Sequence, residues 1–266
     1  MARQQQGQGQ QGKRLRLRGD LPPLTCLSLR ERPLRRLTQL FVGLALYGFS
    51  LSVLVRASLG VNPWSVLYEG LAERTSLSFG TVSAVLGVLV LVLWIPLKLR
   101  PTFGTVANIV VLAGSADLGL LLLPQHLGLP ARIALLVGGV LLNGLSVAVY
   151  VGARLGPGPR DGLMTGTAAV TGRSLRLVRT LMEITVLAVG RLLGGTVGAG
   201  TVLYACVVGT VTQFCVPWVA YRGAVTPFTY RGAVTSSTYR GAVTPSVPSR
   251  PRRSGRPSPR PVRTRR

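Results

Sequence analysis

The sequence predicts an all-α polytopic membrane protein. Six transmembrane helices form two repeats of three, the second inverted, and each repeat carries one short extra helix. Three observations predict this class. Apolar residues collect in long runs of Leu, Val, Ala and Gly separated by short basic loops. Residues 59–114 fall without a gap onto residues 155–210 when shifted by 96 positions, so that Leu59-Gly60 meets Leu155-Gly156, Pro63 meets Pro159, and Gly104-Thr105-Val106 meets Gly200-Thr201-Val202. The match extends backwards, with Gly43, Gly48 and Ser50 meeting Gly139, Gly144 and Ser146. Such a period is too long for a solenoid and suits a duplicated helix bundle. The third observation is charge, which falls unequally on the two sides of the predicted layout.

Residues 1–36 are a Gln/Gly-rich stretch followed by a basic one, which cannot bury a core and is expected to be disordered or to lie against anionic lipid headgroups. A span needs roughly 20 apolar residues. Six stretches supply them: about 37–57, 79–97 and 103–123 in the first repeat (37–123), and 131–152, 174–194 and 199–219 in the second (131–219). The fifth is the most polar, carrying Arg176, Arg179, Glu183 and Arg191. Two shorter elements, 63–73 and 159–170, are each about half a bilayer long as helices, and both an interfacial and a re-entrant placement fit them. From 220 to 266 the chain is Arg/Pro-rich, and Tyr221-Arg-Gly-Ala-Val-Thr recurs at Tyr230 and Tyr239; no helix or strand period results, so a disordered tail is expected. Three full spans per repeat force the second to enter the bilayer the other way round. If each short element also spans, the repeats are parallel instead; inversion is the expected arrangement.

The 31 Lys and Arg against 7 acidic residues give a net charge of +24. Most of it sits in the tails flanking membrane segments. Positive-inside topology accounts for it, placing both termini in the cytoplasm and the protein in the inner membrane, with the bilayer rather than nucleic acid as partner. Cys26, Cys206 and Cys215 form no CxxC pattern and His126 is the only histidine, so no metal site, disulfide framework or cofactor is expected. No cleavable signal peptide is expected, because the first apolar run begins near Leu37. GxSxG, HExxH, Walker and dinucleotide signatures are absent, and enzyme activity is not expected.

The strongest local signals are LGVNPW (Leu59, Gly60, Pro63, Trp64) and LGPGPRDGLM (Leu155, Gly156, Gly158, Pro159, running to Met164). Gly admits positive φ and close backbone approach, and Pro suits the first turn of a helix. Asp161 is placed to cap free amides at that helix start. A connecting turn explains these features; so does a backbone-lined substrate site at a helix N-terminus. The repeats differ in ionisable groups: Trp64-Ser65 becomes Arg160-Asp161, Ser83 becomes Arg179 and Gly87 becomes Glu183. A carboxylate within a span is costly, and Arg179, one turn before Glu183, is placed to pair with it. Arg160, Asp161, Arg179 and Glu183 are therefore the candidate substrate-binding or coupling residues. Asp117, Asn108 and Asn143 also lie in apolar spans and are expected to face the same interior.

With the two LG turns, TSLSFGT (Thr75–Thr81) and LVRTLMEITVLAVGRLLGGTVGAGT (Leu177–Thr201), residues 37–215 resemble the YczE-like integral membrane proteins of bacteria, grouped with the YitT and YyaS families. The resemblance implies an inner-membrane polytopic protein of poorly defined activity. It departs at Ser65, where such proteins often carry Asp, so a role needing two symmetric carboxylates is not carried over. The expected function is secondary transport of a small molecule or ion at the repeat interface; the alternative is a non-transporting membrane scaffold or regulator. Oligomeric state is left open.

Overall fold

The computed structural model describes residues 32–221. The tails expected to be disordered lie almost wholly outside the described residues. Those residues form eight helices: α1 Pro33–Ala57, α2 Pro63–Thr75, α3 Phe79–Trp94, α4 Phe103–Leu122, α5 Leu129–Gly152, α6 Pro159–Thr171, α7 Leu175–Leu192 and α8 Ala199–Val219. Their ends are written locally. Proline occupies the first turns of α1, α2, α5 and α6, where its missing donor costs nothing. Asn62, Ser78, Thr102 and Ser174 cap α2, α3, α4 and α7 by accepting first-turn amides.

Four helices, α1, α4, α5 and α8, are long and apolar enough to cross a membrane. A fifth crossing results if α2 and α3, bent by 113° at their junction, count as one broken span. Length and composition thus support four or five of the six expected spans. Helix α3 has only 16 residues, about 24 Å against a hydrocarbon core of roughly 30 Å. It stops at Trp94 because Pro96 lacks a donor and restricts Ile95. Helix α7 is 18 residues long but carries Arg176, Arg179, Glu183 and Arg191, too much charge for a free-standing apolar span.

Hydrogen bonds fix the helix directions. Ser52 Oγ donates to Ala116 O at 2.7 Å and Arg56 donates to Leu120 O, so α1 and α4 run the same way. The bent α2–α3 pair between them must carry the chain back. Tyr204 OH donates to Asn143 Oδ1 (2.9 Å), Thr212 Oγ1 to Gly144 O (3.1 Å) and Tyr221 N to Gly152 O (2.9 Å), so α5 and α8 are likewise parallel and α6–α7 returns the chain. Between α1 and α5 the direction reverses. Arg36 Nε, at the start of α1, donates to Ala153 O at the end of α5 (3.0 Å), while Arg132 Nε donates to Ala57 O (2.8 Å). Midway, Asn143 Nδ2 donates to Ser50 Oγ at 2.8 Å.

The apolar core lies along α1, where Leu40, Leu44, Leu51 and Leu54 are buried against α4 and α5. Helix α2 packs on α7, and α6 packs on α3. Large apolar side chains on the outer faces of α3, α4 and α8 stay exposed, including Leu89, Val92, Val110 and Phe214. Such a surface suits acyl chains, not water.

Candidate functional site

The two LG turns are seated by close backbone approach. Gly60 has φ +109° and Gly156 φ +137°, a region open to glycine. A Cβ on Gly60 would lie 2.6 Å from Gly198 N. Leu59 O accepts from Gly200 N (2.8 Å) and Leu155 O from Gly104 N (3.3 Å), so each turn satisfies an amide at the start of α8 or α4. After each turn the chain enters α2 or α6 at a proline. Trp94 Nε1 donates to Pro159 O (3.0 Å) and Thr105 Oγ1 to Pro157 O (2.9 Å), which fixes the mouth of α6.

The first turns of α2 and α6 meet at one interior cavity of about 40 Å³, whose walls include Tyr47, Asn62, Trp64, Ser65, Asn108, Tyr150, Arg160 and Asp161. That volume holds about one water. Arg160 and Asp161, predicted as site residues, both lie here. Arg160 donates to the Tyr47 hydroxyl and stands over its ring, 5.6 Å from the centroid, with Asp161 Oδ1 3.9 Å from Arg160 Nε. Asp161 does not cap the amides of α6 as expected. Its Oδ2 accepts the Tyr150 hydroxyl at 3.0 Å, and Gly158 begins the helix without a side-chain cap. Tyr47 and Tyr150 stack with centroids 5.7 Å apart. An arginine, a carboxylate and two phenols thus share one small space between the helices, with the Arg160 and Asp161 side chains 23% and 30% exposed. Exchange of either charge would unbalance the site, because an unpaired ion in this setting is costly.

The other two predicted residues are elsewhere. Arg179 Nε and Glu183 Oε1 pair at 2.9 Å along α7, as the spacing suggested, with side chains 59% and 33% exposed. Neither lines the cavity. The buried residues of α7 are Val178 and Gly190, and Glu183, two turns before Gly190, is half-buried on that side of the helix without reaching the cavity wall. Of the polar residues expected to share the interior, Asn108 is on the cavity wall and Asn143 is buried one layer away, joined to Ser50 and Tyr204. Asp117 instead caps α3, accepting from Gly80 N at 2.7 Å and Ser78 Oγ at 2.6 Å. Motif residue Trp64 is buried on the wall, and its Nε1–H finds no acceptor among the described residues. Sequence reasoning missed Tyr47, Tyr150 and Tyr204. Their signal was available: a tyrosine within an apolar span brings a hydroxyl that must find a partner.

A family model described as "Family of unknown function (DUF6198)" matches residues 34–217. A Haemophilus influenzae protein named "Uncharacterized protein" is 39% identical over 170 residues, 64% of this chain and 78% of its own length. The "Uncharacterized membrane protein YczE" of Bacillus subtilis is 33% identical over 184 residues, covering 68% of this chain and 85% of the relative. The "Uncharacterized protein YyaS" of the same organism is 23% identical over 172 residues, 63% and 86% of the two chains. No solved structure matches.

Proposed function

The chain belongs to the DUF6198 family, and we propose that this multi-pass bacterial membrane protein is a secondary transporter of a small molecule or ion. The observation that carries the proposal is the polar cavity holding Arg160 and Asp161 at the meeting of two short helices inside a membrane bundle. Intramembrane charges of this kind mark substrate or ion pathways. Two inverted repeats, residues 37–123 and 131–219, frame the site. Supporting that reading, α2 and α6 begin and end 96 residues apart, and the Arg36 and Arg132 clamps recur at the same offset. So do the amide contacts to Leu59 and Leu155. The antiparallel α1–α5 pair then lies across a pseudo-twofold axis in the membrane plane.

The cavity is too small for a metabolite, which fits an occluded conformer. Alternating access would open it by moving α2 with α7, or α6 with α3, the pairs in which one repeat grips the other. Arg160 and Asp161 would hold the cargo in exchange for part of their contact with each other and with the tyrosines. By the positive-inside rule the end carrying Arg32, Arg35, Lys98, Arg100, Arg154 and Arg173 faces the cytoplasm, with both termini. Reconstituted protein should show cargo-dependent flux in proteoliposomes, screened over small anions, cations and polar metabolites. Asp161→Asn should lower that flux at least about tenfold at equal expression, whereas Glu183→Gln, off the cavity wall, should stay within about twofold. Wild-type flux unchanged by Asp161→Asn would remove the site.

A specific feature favours the second reading, a scaffold or regulator. Arg179 is exposed on α7 beside the half-buried Glu183, and a charged group at the surface of a span calls for a protein partner. A stable partner co-purifying with wild-type protein but not with Arg179→Leu/Glu183→Leu, with no flux for any cargo, would favour it.

A further inference from the structure

We infer that the pocket where α1 and α4 end and α5 begins binds a phosphate group, that of an anionic phospholipid or of free inorganic phosphate. The pocket is about 470 Å³ and is lined by Arg56, Ser58, Gln125, His126, Gly128 and Arg132 among others. Two guanidinium groups and an imidazole converge there, and no carboxylate is on its wall. Like charges gathered at one place repel, and an anion relieves that cost.

Both arginines are held in position by one edge. Arg132 donates through Nε to Ala57 O (2.8 Å) and through Nη2 to Ser58 O (2.6 Å), closing the C-terminus of α1. Arg56 donates to Leu120 O near the end of α4, and its Nε is buried with no acceptor among the described residues. A guanidinium has five N–H donors, so fixed donors remain for an oxyanion. Gly128 caps α5 without a side chain, leaving the positive end of a 24-residue helix beside the same pocket.

The opposite end of the molecule supplies a comparison. Arg36 lies 96 residues before Arg132 and makes the matching clamp, donating to Ala153 O and Arg154 O. There the space is taken by the chain itself: the Tyr221 ring covers Arg36 at 5.5 Å, and Gly152, not an arginine, stands opposite Val219 and Ala220. At the Arg132 end, Gln125 holds the position of Tyr221 and Arg56 that of Gly152. One filler is removed, and the positive charge that Arg154 carries at the other end, where this end has Ser58, is carried here by Arg56. The pocket also adjoins exposed Leu121, Leu122 and Leu129 at the ends of candidate spans, so a headgroup seated there would have its acyl chains on apolar surface.

The test uses full-length protein in detergent. Thermal midpoints and native mass spectra are recorded with phosphatidylglycerol, with phosphatidylcholine and with inorganic phosphate. Phosphatidylglycerol or phosphate should bind and raise the midpoint, and added salt should weaken the effect. Arg56→Gln should weaken binding at least about tenfold, as loss of one charge-assisted bond implies. His126→Gln, which leaves both helix clamps intact, should weaken it by a smaller factor and guards against a folding defect in the first variant. Saturation by phosphatidylglycerol alone identifies a lipid site, and saturation by phosphate alone a soluble one. The inference is overturned if neither binds more tightly than phosphatidylcholine, or if both variants bind as wild type does.

Discussion

At the residue scale, the LG turns show the closest agreement between chemistry read from sequence and geometry in space. Gly60 and Gly156 adopt positive φ, and each turn abuts the first turn of a distant helix. Gly60→Ala combines backbone strain with overlap on Gly198, and should destabilise by about 1–3 kcal/mol. Gly138→Ala, whose added carbon meets nothing within 4 Å, is the control and should be neutral or better. A detergent-unfolding series checks both; equal midpoints would contradict the packing account. The candidate site was legible only in part. Arg160 and Asp161 stand out because charge is rare in this chain's apolar repeats. Their tyrosine partners come from residues 47 and 150, on helices far away in sequence, and no local pattern links them.

At the scale of elements, α3 and α7 occupy corresponding places and behave differently. Helix α3 rests against α4 through small residues, with Gly80 beside Ala113 and Gly87 beside Ile109. The corresponding positions on α7 are Arg176 and Glu183, and α7 makes no comparable contact with α8. Small residues allow helices to approach without a hydrophobic drive, and long charged ones prevent it. A Cβ on Gly87 would already be 3.0 Å from Ile109 Cγ1, so Gly87→Leu should part α3 from α4 and cost about 1–3 kcal/mol. The same change at Gly209 of α8, where nothing lies within 4 Å, should cost little. Comparable losses at both positions, measured by thermal unfolding, would refute the difference. Hydropathy located these helices well but carried α3 past its end at Trp94, because an apolar run continues through Pro96 while the helix does not.

At the scale of the whole molecule, the helix directions make a topological prediction. Single cysteines at residues 100 and 173, in a variant with the native cysteines replaced, should react with an impermeant thiol reagent from the same side of the membrane. Cysteines at 126 and 196 should react from the other side. Any exchange between the groups would break the inverted arrangement and, with it, the proposed location of the cavity between repeats. The sequence by itself determined the membrane class, the helix boundaries marked by Pro and Gly, and the 96-residue correspondence, since each is a local or periodic property of the chain. Only the tertiary structure decided that α2 and α3 meet at a 113° bend, that Arg160 and Asp161 meet two tyrosines, and that Arg179 and Glu183 pair with each other off the cavity wall. Hydrophobicity in a bilayer tells a helix to insert, but it is nearly blind to which neighbour the helix meets. That choice rests on small residues and buried hydrogen bonds, which act only once distant segments are side by side.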